Sequence, residues 1–179
     1  MDAKQLMDNN ELLPYKNKVM NILLSSPILY ELCKNTKCEN IELAENLIGK
    51  NYVSQLFIDD VVTDKEAYVL FDFDEDAVQN YVKTGLSTYN TYILYFHIIC
   101  HKDIYMVHGI GTRCDCIVAE LCRLFKDKMF YADGSLGIGT NKKIHDNIMT
   151  SPNDKYVARE IQFLITDYDE RVKMKNAHR

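Results

Sequence analysis

The chain has 179 residues, 47% of them hydrophobic and 26% charged, with a formal net charge of −5 and an isoelectric point of about 5.5. This composition excludes wholesale disorder and fits one globular domain better than two. The acidic net charge argues against specific nucleic-acid binding, which needs a basic surface. No stretch of the sequence approaches the roughly 18 apolar residues of a membrane span.

The N-terminal third is predicted to be helical. Residues 4–24 are compatible with a helix and carry an apolar edge near their end. Ser26 followed by Pro27 is typical of a helix start, because serine caps the first turn and proline is tolerated there. This pair predicts a short helix over 27–33, and a third short helix is predicted over 41–48.

Two strands are predicted next. Residues 51–63 have an extended pattern and are expected to cross the surface of the sheet, followed by a β-prone strand over 67–73 and a longer strand over 91–100. In the longer strand one face carries Tyr92, Leu94, Phe96, Ile98 and Cys100, and the other carries Ile93, Tyr95, His97, Ile99 and His101. Both faces are largely apolar, which predicts a central strand covered on each side, or on one side by a neighbouring subunit.

The second half contains the helix with the clearest sequence pattern. Gly109 and Gly111 predict a turn, and Thr112 with Asp115 forms an approximate capping box for a helix that runs to about Lys126. Its apolar positions follow helical spacing and are Ile117, Val118, Leu121, Leu124 and Phe125. A helix with this spacing has one apolar face that packs on a core.

Residues 136–145 and 157–166 are predicted to be strands, separated by a polar loop over 146–155. The fold class that follows is α+β: a small, mainly antiparallel sheet (β-β-α-β-β) packed by one amphipathic helix, with an N-terminal helical elaboration. We expect one fold with three parts, namely N-terminal helices and an extended connector over 1–66, the core over 67–169 and a charged tail over 170–179.

No residue pattern indicates a cofactor or a metal site. Asp72, Asp74 and Asp76 resemble the opening of a calcium loop, but Ala77 replaces the required glycine and Lys83 the bidentate glutamate. A solvated acidic strand end, or an acidic contact patch for a basic partner, is the better interpretation of the three aspartates.

His97 and His101 share a strand face, yet at roughly 3.3 Å per residue they are about 13 Å apart, too far to bind one ion.

The six cysteines form no CxxC pair. The segment MDAKQLMDNNELLPYK lacks the features of a secretion signal, so we expect the cysteines to be free thiols in a reducing cytosol. We expect no enzymatic activity, and a small cytosolic enzyme that uses Cys100, His97 or His101 is the alternative.

Three segments together resemble a known family. They are TYILYFHIICHKD (91–103), GTRCDCIVAELCRLF (111–125) and AREIQFLITDYD (158–169). The β-β-α-β-β run to which they belong is similar to the tail-terminator and tail-completion proteins of long-tailed bacteriophages, which are small α/β proteins that form a hexameric ring. Such a ring ends the tail tube and joins it to the head.

The resemblance implies a structural virion protein of the neck that is assembled in the host cytoplasm. Its partners would be copies of itself, the tail tube protein and a head-closure or connector protein, with DNA passing through the ring but no specific nucleic-acid binding and no membrane. A head-closure or connector-adaptor protein is an alternative role. Exposed polar segments are the expected contact sites. The residues predicted there are Asp72, Asp74, Asp76, Asn147, Met149, Asn153, Tyr168, Arg171 and Lys173.

Overall fold

The computed structural model describes residues 13–37, 52–53, 65–74, 89–131, 136–138, 142–149 and 154–168. These residues form an α+β fold, as the sequence predicts. In chain order the elements are α1 (Leu13–Leu24), α2 (Pro27–Lys34), β1 (Tyr52–Val53), β2 (Ala67–Asp74), β3 (Tyr89–His101), a 3-10 helix (Lys102–Ile104), β4 (Met106–Val107), β5 (Gly111–Thr112), α3 (Arg113–Phe125), β6 (Lys128–Tyr131), β7 (Leu136–Ile138), β8 (Lys142–Met149) and β9 (Tyr156–Tyr168).

Two long antiparallel strands form the centre of the sheet. β3 and β9 pair over their full length, from Tyr89 opposite Tyr168 to His101 opposite Tyr156. The described strands follow the order β1-β2-β3-β9-β6-β7, β8 also pairs with β9, and β4 and β5 form a separate hairpin. The prediction that residues 51–63 cross the sheet surface is wrong for residues 52–53, which pair in parallel with β2 at its outer edge.

One face of the sheet carries the main core, and the predicted alternation of β3 is confirmed. Leu94, Phe96, Ile98 and Cys100 are fully buried together on this face. The Phe96 ring lies 5.1 Å from that of Phe125 in α3 and 6.0 Å from that of Phe163 in β9. Each buried side chain of this size stabilises the fold by about 1.5–3 kcal/mol. The sheet and α3 are therefore joined through an aromatic centre.

The N-terminal helices are part of the same core, because Val19 and Leu23 of α1 and Leu29 of α2 are fully buried in it. The helical elaboration predicted at the N-terminus therefore packs on the same core as α3. The side chain of Ser26 caps α2 by accepting a hydrogen bond from the Leu29 amide at 3.1 Å, as predicted. The predicted helix over 41–48 lies outside the described residues. None of the helices that the structure describes has the length and apolarity to cross a membrane.

Helix α3 begins as the sequence predicts. Thr112 accepts a hydrogen bond from the Asp115 amide at 3.0 Å, and its hydroxyl donates to the Asp115 carboxylate at 2.5 Å. Before it, Gly109 and Gly111 have φ angles of 76° and 143°, which side chains rarely permit. The turn and the cap together set the point at which α3 enters the core.

The sequence predicts a strand over 136–145 and a loop over 146–155, and the boundary between the two is wrong. β7 has three residues, whereas β8 runs through residues 142–149 and takes in the first part of the predicted loop. Residues 144 to 148 of β8 are all exposed, although the side chain of Asp146 is only 22% exposed. A strand whose two faces are both exposed needs no alternation of apolar residues, so the sequence pattern does not reveal it.

Candidate interaction surfaces

Strand β8 lies at an edge of the sheet that the described strands form. Among the described strands it pairs with β9 alone, so its other side has backbone groups that a further strand could bind. Ile148 is 76% exposed and Ile144 is also exposed, although both are large apolar residues. Such an edge is a template for pairing with another chain.

The two halves of β8 differ in how they are protected from such pairing. The first half contains Lys142, Lys143 and an irregular register between Lys143 and His145, and lysines and bulges are known protective devices. The second half, residues 146–149, pairs regularly with β9 and carries the exposed Ile148. The second half is therefore the part of the edge that is open to a partner.

A network of ion pairs holds β8 in place. Arg159 of β9 donates from Nε to Asp146 of β8 at 2.6 Å and from Nη1 to Asp115 of α3. Asp146 also accepts a hydrogen bond from Lys143. The network joins β8, β9 and α3, but exposed pairs of this kind contribute only about 0.2–1 kcal/mol each.

The opposite flank of α3 holds helix α2 through buried charges. Arg113, only 6% exposed, donates to the Leu32 carbonyl at 2.8 Å, the Asn35 side-chain oxygen at 2.6 Å and the Ile104 carbonyl at 2.7 Å. Leu32 and Asn35 lie at the C-terminal end of α2, where a positive charge is favoured by the helix dipole. Arg113 thus satisfies the Leu32 carbonyl, which the helix end would leave unpaired.

Glu120 performs the matching role at the other end of α2. It is 5% exposed and accepts hydrogen bonds from the Ser26 hydroxyl at 2.5 Å and from Arg123 at 2.7 Å and 2.6 Å. Burial alone would raise the pKa of Glu120, but the hydrogen bonds from Arg123 and Ser26 outweigh burial and lower it below the usual value. Its negative charge faces the N-terminal end of α2, where the dipole favours it.

A groove lies between α2, α3 and the β4–β5 hairpin, with a volume of about 670 Å³. Its apolar lining consists of Ile28, Leu32, Val107 and Ile110, together with the small residues Cys116 and Ala119 of α3. Ile110 is 76% exposed and Ile28 is 50% exposed. The β8 edge and this groove are therefore apolar surfaces on opposite flanks of α3.

The second face of the sheet carries a polar cluster across three strands. His97 Nε2 lies 2.6 Å from Glu160 Oε2, and His145 Nε2 lies 4.0 Å from Glu160 Oε1. Burial and then the neighbouring carboxylates raise the pKa of Tyr95, whose ring is 5.6 Å from that of His97. No three His, Cys, Asp or Glu side chains are placed to hold one metal ion in the part of the chain that the structure covers.

Of the predicted contact residues, Asn147 and Met149 lie together in the second half of β8, and the Asn147 side chain is exposed. Asp72 is not a free acidic group, because Lys16 of α1 forms an ion pair with it at 2.6 Å. Asp74 is the last residue of β2, and Tyr168 is the last residue of β9. The predicted residues Asp76, Asn153, Arg171 and Lys173 lie outside the described residues.

The histidines of β3 do not form a pair with Cys100. Cys100 points into the main core, whereas His97 and His101 lie on the opposite face of the sheet. A hydrogen bond with Cys114 and burial raise the pKa of the Cys100 thiol far above its ordinary value. The thiolate needed for nucleophilic attack is therefore disfavoured at this position. No disulfide forms among the described cysteines, which are Cys33, Cys100, Cys114, Cys116 and Cys122.

Sequence reasoning missed the two buried charges and the exposed Ile148. Arg113 and Glu120 read as ordinary polar residues of an amphipathic helix, and only their spacing of seven places them on one flank. Only the folded structure shows that Arg113 and Glu120 have partners on α2. Ile148 is an apolar residue within a polar run, which was the available signal of a contact site.

A protein-family model described as YomW matches residues 7–165 of the chain. The match includes all three described helices and ends three residues before the last residue of β9, Tyr168. No curated protein and no solved structure matches the chain at a comparable level of significance.

Proposed function

This chain belongs to the YomW family, and on that premise we propose that it is a structural protein of the bacteriophage neck. Membership associates the protein with bacteriophages, in agreement with the general part of the resemblance in its sequence. The specific role that we propose is a tail terminator. In this role identical copies form a ring, of six copies by the resemblance, which ends the tail tube and joins the tail to the head in the virion.

The open second half of β8 is the observation that carries this proposal. A ring closes when one surface of each copy binds a different surface of the next. The second half of β8 can supply one of these two surfaces. Residues 146–149 supply a strand edge that no other described strand pairs, together with the exposed Ile148, and both become buried when a neighbouring strand binds. Burial of an apolar side chain of this size favours association by about 1.5–3 kcal/mol.

The network around Arg159 supports the same role. It joins β8 to β9 and α3 through exposed pairs that contribute only about 0.2–1 kcal/mol each, so the edge stays in place and can still adjust when a partner binds. The proposed partners are neighbouring copies, the tail tube protein and a head-closure or connector protein. The proposal includes no catalytic step.

The mass of the purified protein in solution tests whether copies bind one another through the second half of β8. We expect the wild-type chain to form a concentration-dependent oligomer by size-exclusion chromatography with light scattering. Ile148→Asp should raise the dissociation constant at least about tenfold, because it places a charge in the buried contact. Met106→Asp is the matched control, since Met106 is also exposed and lies away from β8 in the hairpin.

A wild-type chain that stays monomeric at every concentration would contradict self-assembly, and so would equal effects of the two substitutions.

The position of the protein in the virion requires a second measurement. Gold labelling of the protein in intact particles should mark the head-proximal end of the tail. Labelling along the tail or on the head shell would rule out a tail terminator.

A further inference from the structure

The groove between α2 and α3 has features that the ring does not require. We propose that it binds an amphipathic α-helix that carries carboxylates, supplied by another protein. This inference rests on the shape and charge of the groove and stands whether or not the protein forms a ring.

The shape of the groove fits a helix. α2 and α3 run antiparallel, because Ser26 at the start of α2 contacts Glu120 and Asn35 at its end contacts Arg113. Cys116 and Ala119 lie one turn apart on α3 and have small side chains, so the backbone of a third helix can approach closely. The eight residues of α2 extend about 12 Å, enough for roughly two turns of a bound helix.

The apolar content of the groove fits one face of such a helix. Ile28 stands on the α2 side and Ile110 at the hairpin, and both are exposed by half or more. Leu32 lies between the two helices and Val107 in the hairpin. Grooves of this kind bind apolar residues that repeat every three or four positions along an amphipathic helix.

The charge of the groove selects carboxylates. Its lining contains Lys37, Arg113 and Arg123 against Glu31 and Glu120, which gives a local excess of one positive charge in a chain whose net charge is −5. The Glu120 carboxylate is already neutralised by Arg123.

Arg113 donates only to uncharged oxygens, and Lys37 forms no ion pair with any residue that the structure describes. The positive charge therefore lies at the end of the groove where α2 finishes. A carboxylate on the bound helix is favoured at this end, and a lysine there is disfavoured.

The test uses the full-length protein labelled with ¹⁵N and two synthetic helical peptides. Each peptide has about 14 residues, or roughly 21 Å of helix, with leucines on one face and either glutamates or lysines beside them. We expect the glutamate peptide to shift the amide signals of Ile28, Leu32, Ile110 and Ala119. It should also bind at least about tenfold more tightly than the lysine peptide.

Three variants test whether binding occurs in the groove. Ala119→Trp fills the groove from an exposed position of α3 and should abolish binding of the glutamate peptide. Lys37→Glu should weaken it about fivefold, and Lys102→Glu is the matched control, because Lys102 is exposed and does not line the groove.

Absent shifts, shifts elsewhere on the protein or equal affinity for the two peptides would overturn the proposal. Signals of the groove residues that change with protein concentration before any peptide is added would also overturn it, since a second copy would then be the occupant. None of these results depends on Ile148, so they can be distinguished from failure of the ring.

Discussion

Helix α3 has two polar flanks that contribute to the structure in different ways. On the flank that faces α2, Arg113 and Glu120 are 6% and 5% exposed and their hydrogen bonds are directed at the two ends of α2. On the flank that faces β8, the side chain of Asp115 is 55% exposed and pairs with Arg159. Both flanks carry charged side chains, but Arg113 and Glu120 are buried whereas Asp115 is exposed to water.

The comparison shows how one helix can fix one neighbour firmly and another loosely. A buried charge that loses its partners cannot recover hydrogen bonds from water, so its contacts are costly to remove. An exposed pair exchanges its contacts for water at little cost and is weakened by salt. We therefore expect the α2–α3 layer to stay intact while the edge strand β8 adjusts to a partner.

The largest effect is expected from Arg113→Met. The substitution leaves the carbonyls of Leu32 and Ile104 and the Asn35 side chain without their donor, at a cost of about 3 kcal/mol in the free energy of unfolding. Urea denaturation followed by circular dichroism measures the loss. A loss below about 1 kcal/mol would show that Arg113 does not hold α2.

Glu120→Gln is expected to cost about 1–2 kcal/mol at neutral pH, because it removes the charge that accepts from Ser26 and Arg123. The pKa of Glu120 is lowered in the folded protein, so its contribution is present above the unfolded pKa of about 4.3 and is lost as pH falls through the lower folded value.

The difference in stability between wild type and Glu120→Gln should therefore shrink in acid. Denaturation at neutral pH and at successively lower pH measures this difference. A constant difference across that range would contradict the assignment of the buried charge to Glu120.

Arg159→Met tests the exposed flank. It removes the contacts to Asp115 and Asp146 and should cost about 0.5–1 kcal/mol at low salt, less than Arg113→Met although the side chains and the substitution are the same. Denaturation at roughly 0.05 M and 1 M sodium chloride should show that the effect diminishes with salt. An effect as large as that of Arg113→Met would remove the distinction between the two flanks.

Ile148→Asp should have the smallest effect on folding. Because Ile148 is 76% exposed, the substitution should change the free energy of unfolding of the monomer by about 0.5 kcal/mol or less. Denaturation of the protein at a concentration where it is monomeric measures this value. A larger loss would mean that Ile148 packs within its own chain, and the assembly result for this variant would then need another explanation.

The sequence predicts those parts of the fold whose signals are local. The alternation of β3, the Ser26 cap of α2 and the Thr112 cap of α3 each depend on residues close together in the chain, and all three are confirmed. The β8 boundary was missed because residues 144 to 148 are exposed and show no burial pattern.

The roles of Arg113 and Glu120 depend on contacts with α2 and its two caps, whose residues lie 78 to 94 positions away in sequence. No pattern within α3 can distinguish a buried charge with distant partners from one that faces water, because periodicity places both on the polar side of the helix. The same limit applies to Asp72, which was predicted as an open acidic patch and is paired with Lys16 of α1.

Amide hydrogen exchange of residues 146–149 tests most directly whether the open edge of β8 is the contact between copies. The backbone groups of an unpaired edge exchange freely, and pairing with a neighbouring strand protects them. We predict that exchange in this segment slows as protein concentration rises and oligomers form, while the amides of α3 keep their rates. Oligomers that form with no change in exchange at residues 146–149 would contradict the account.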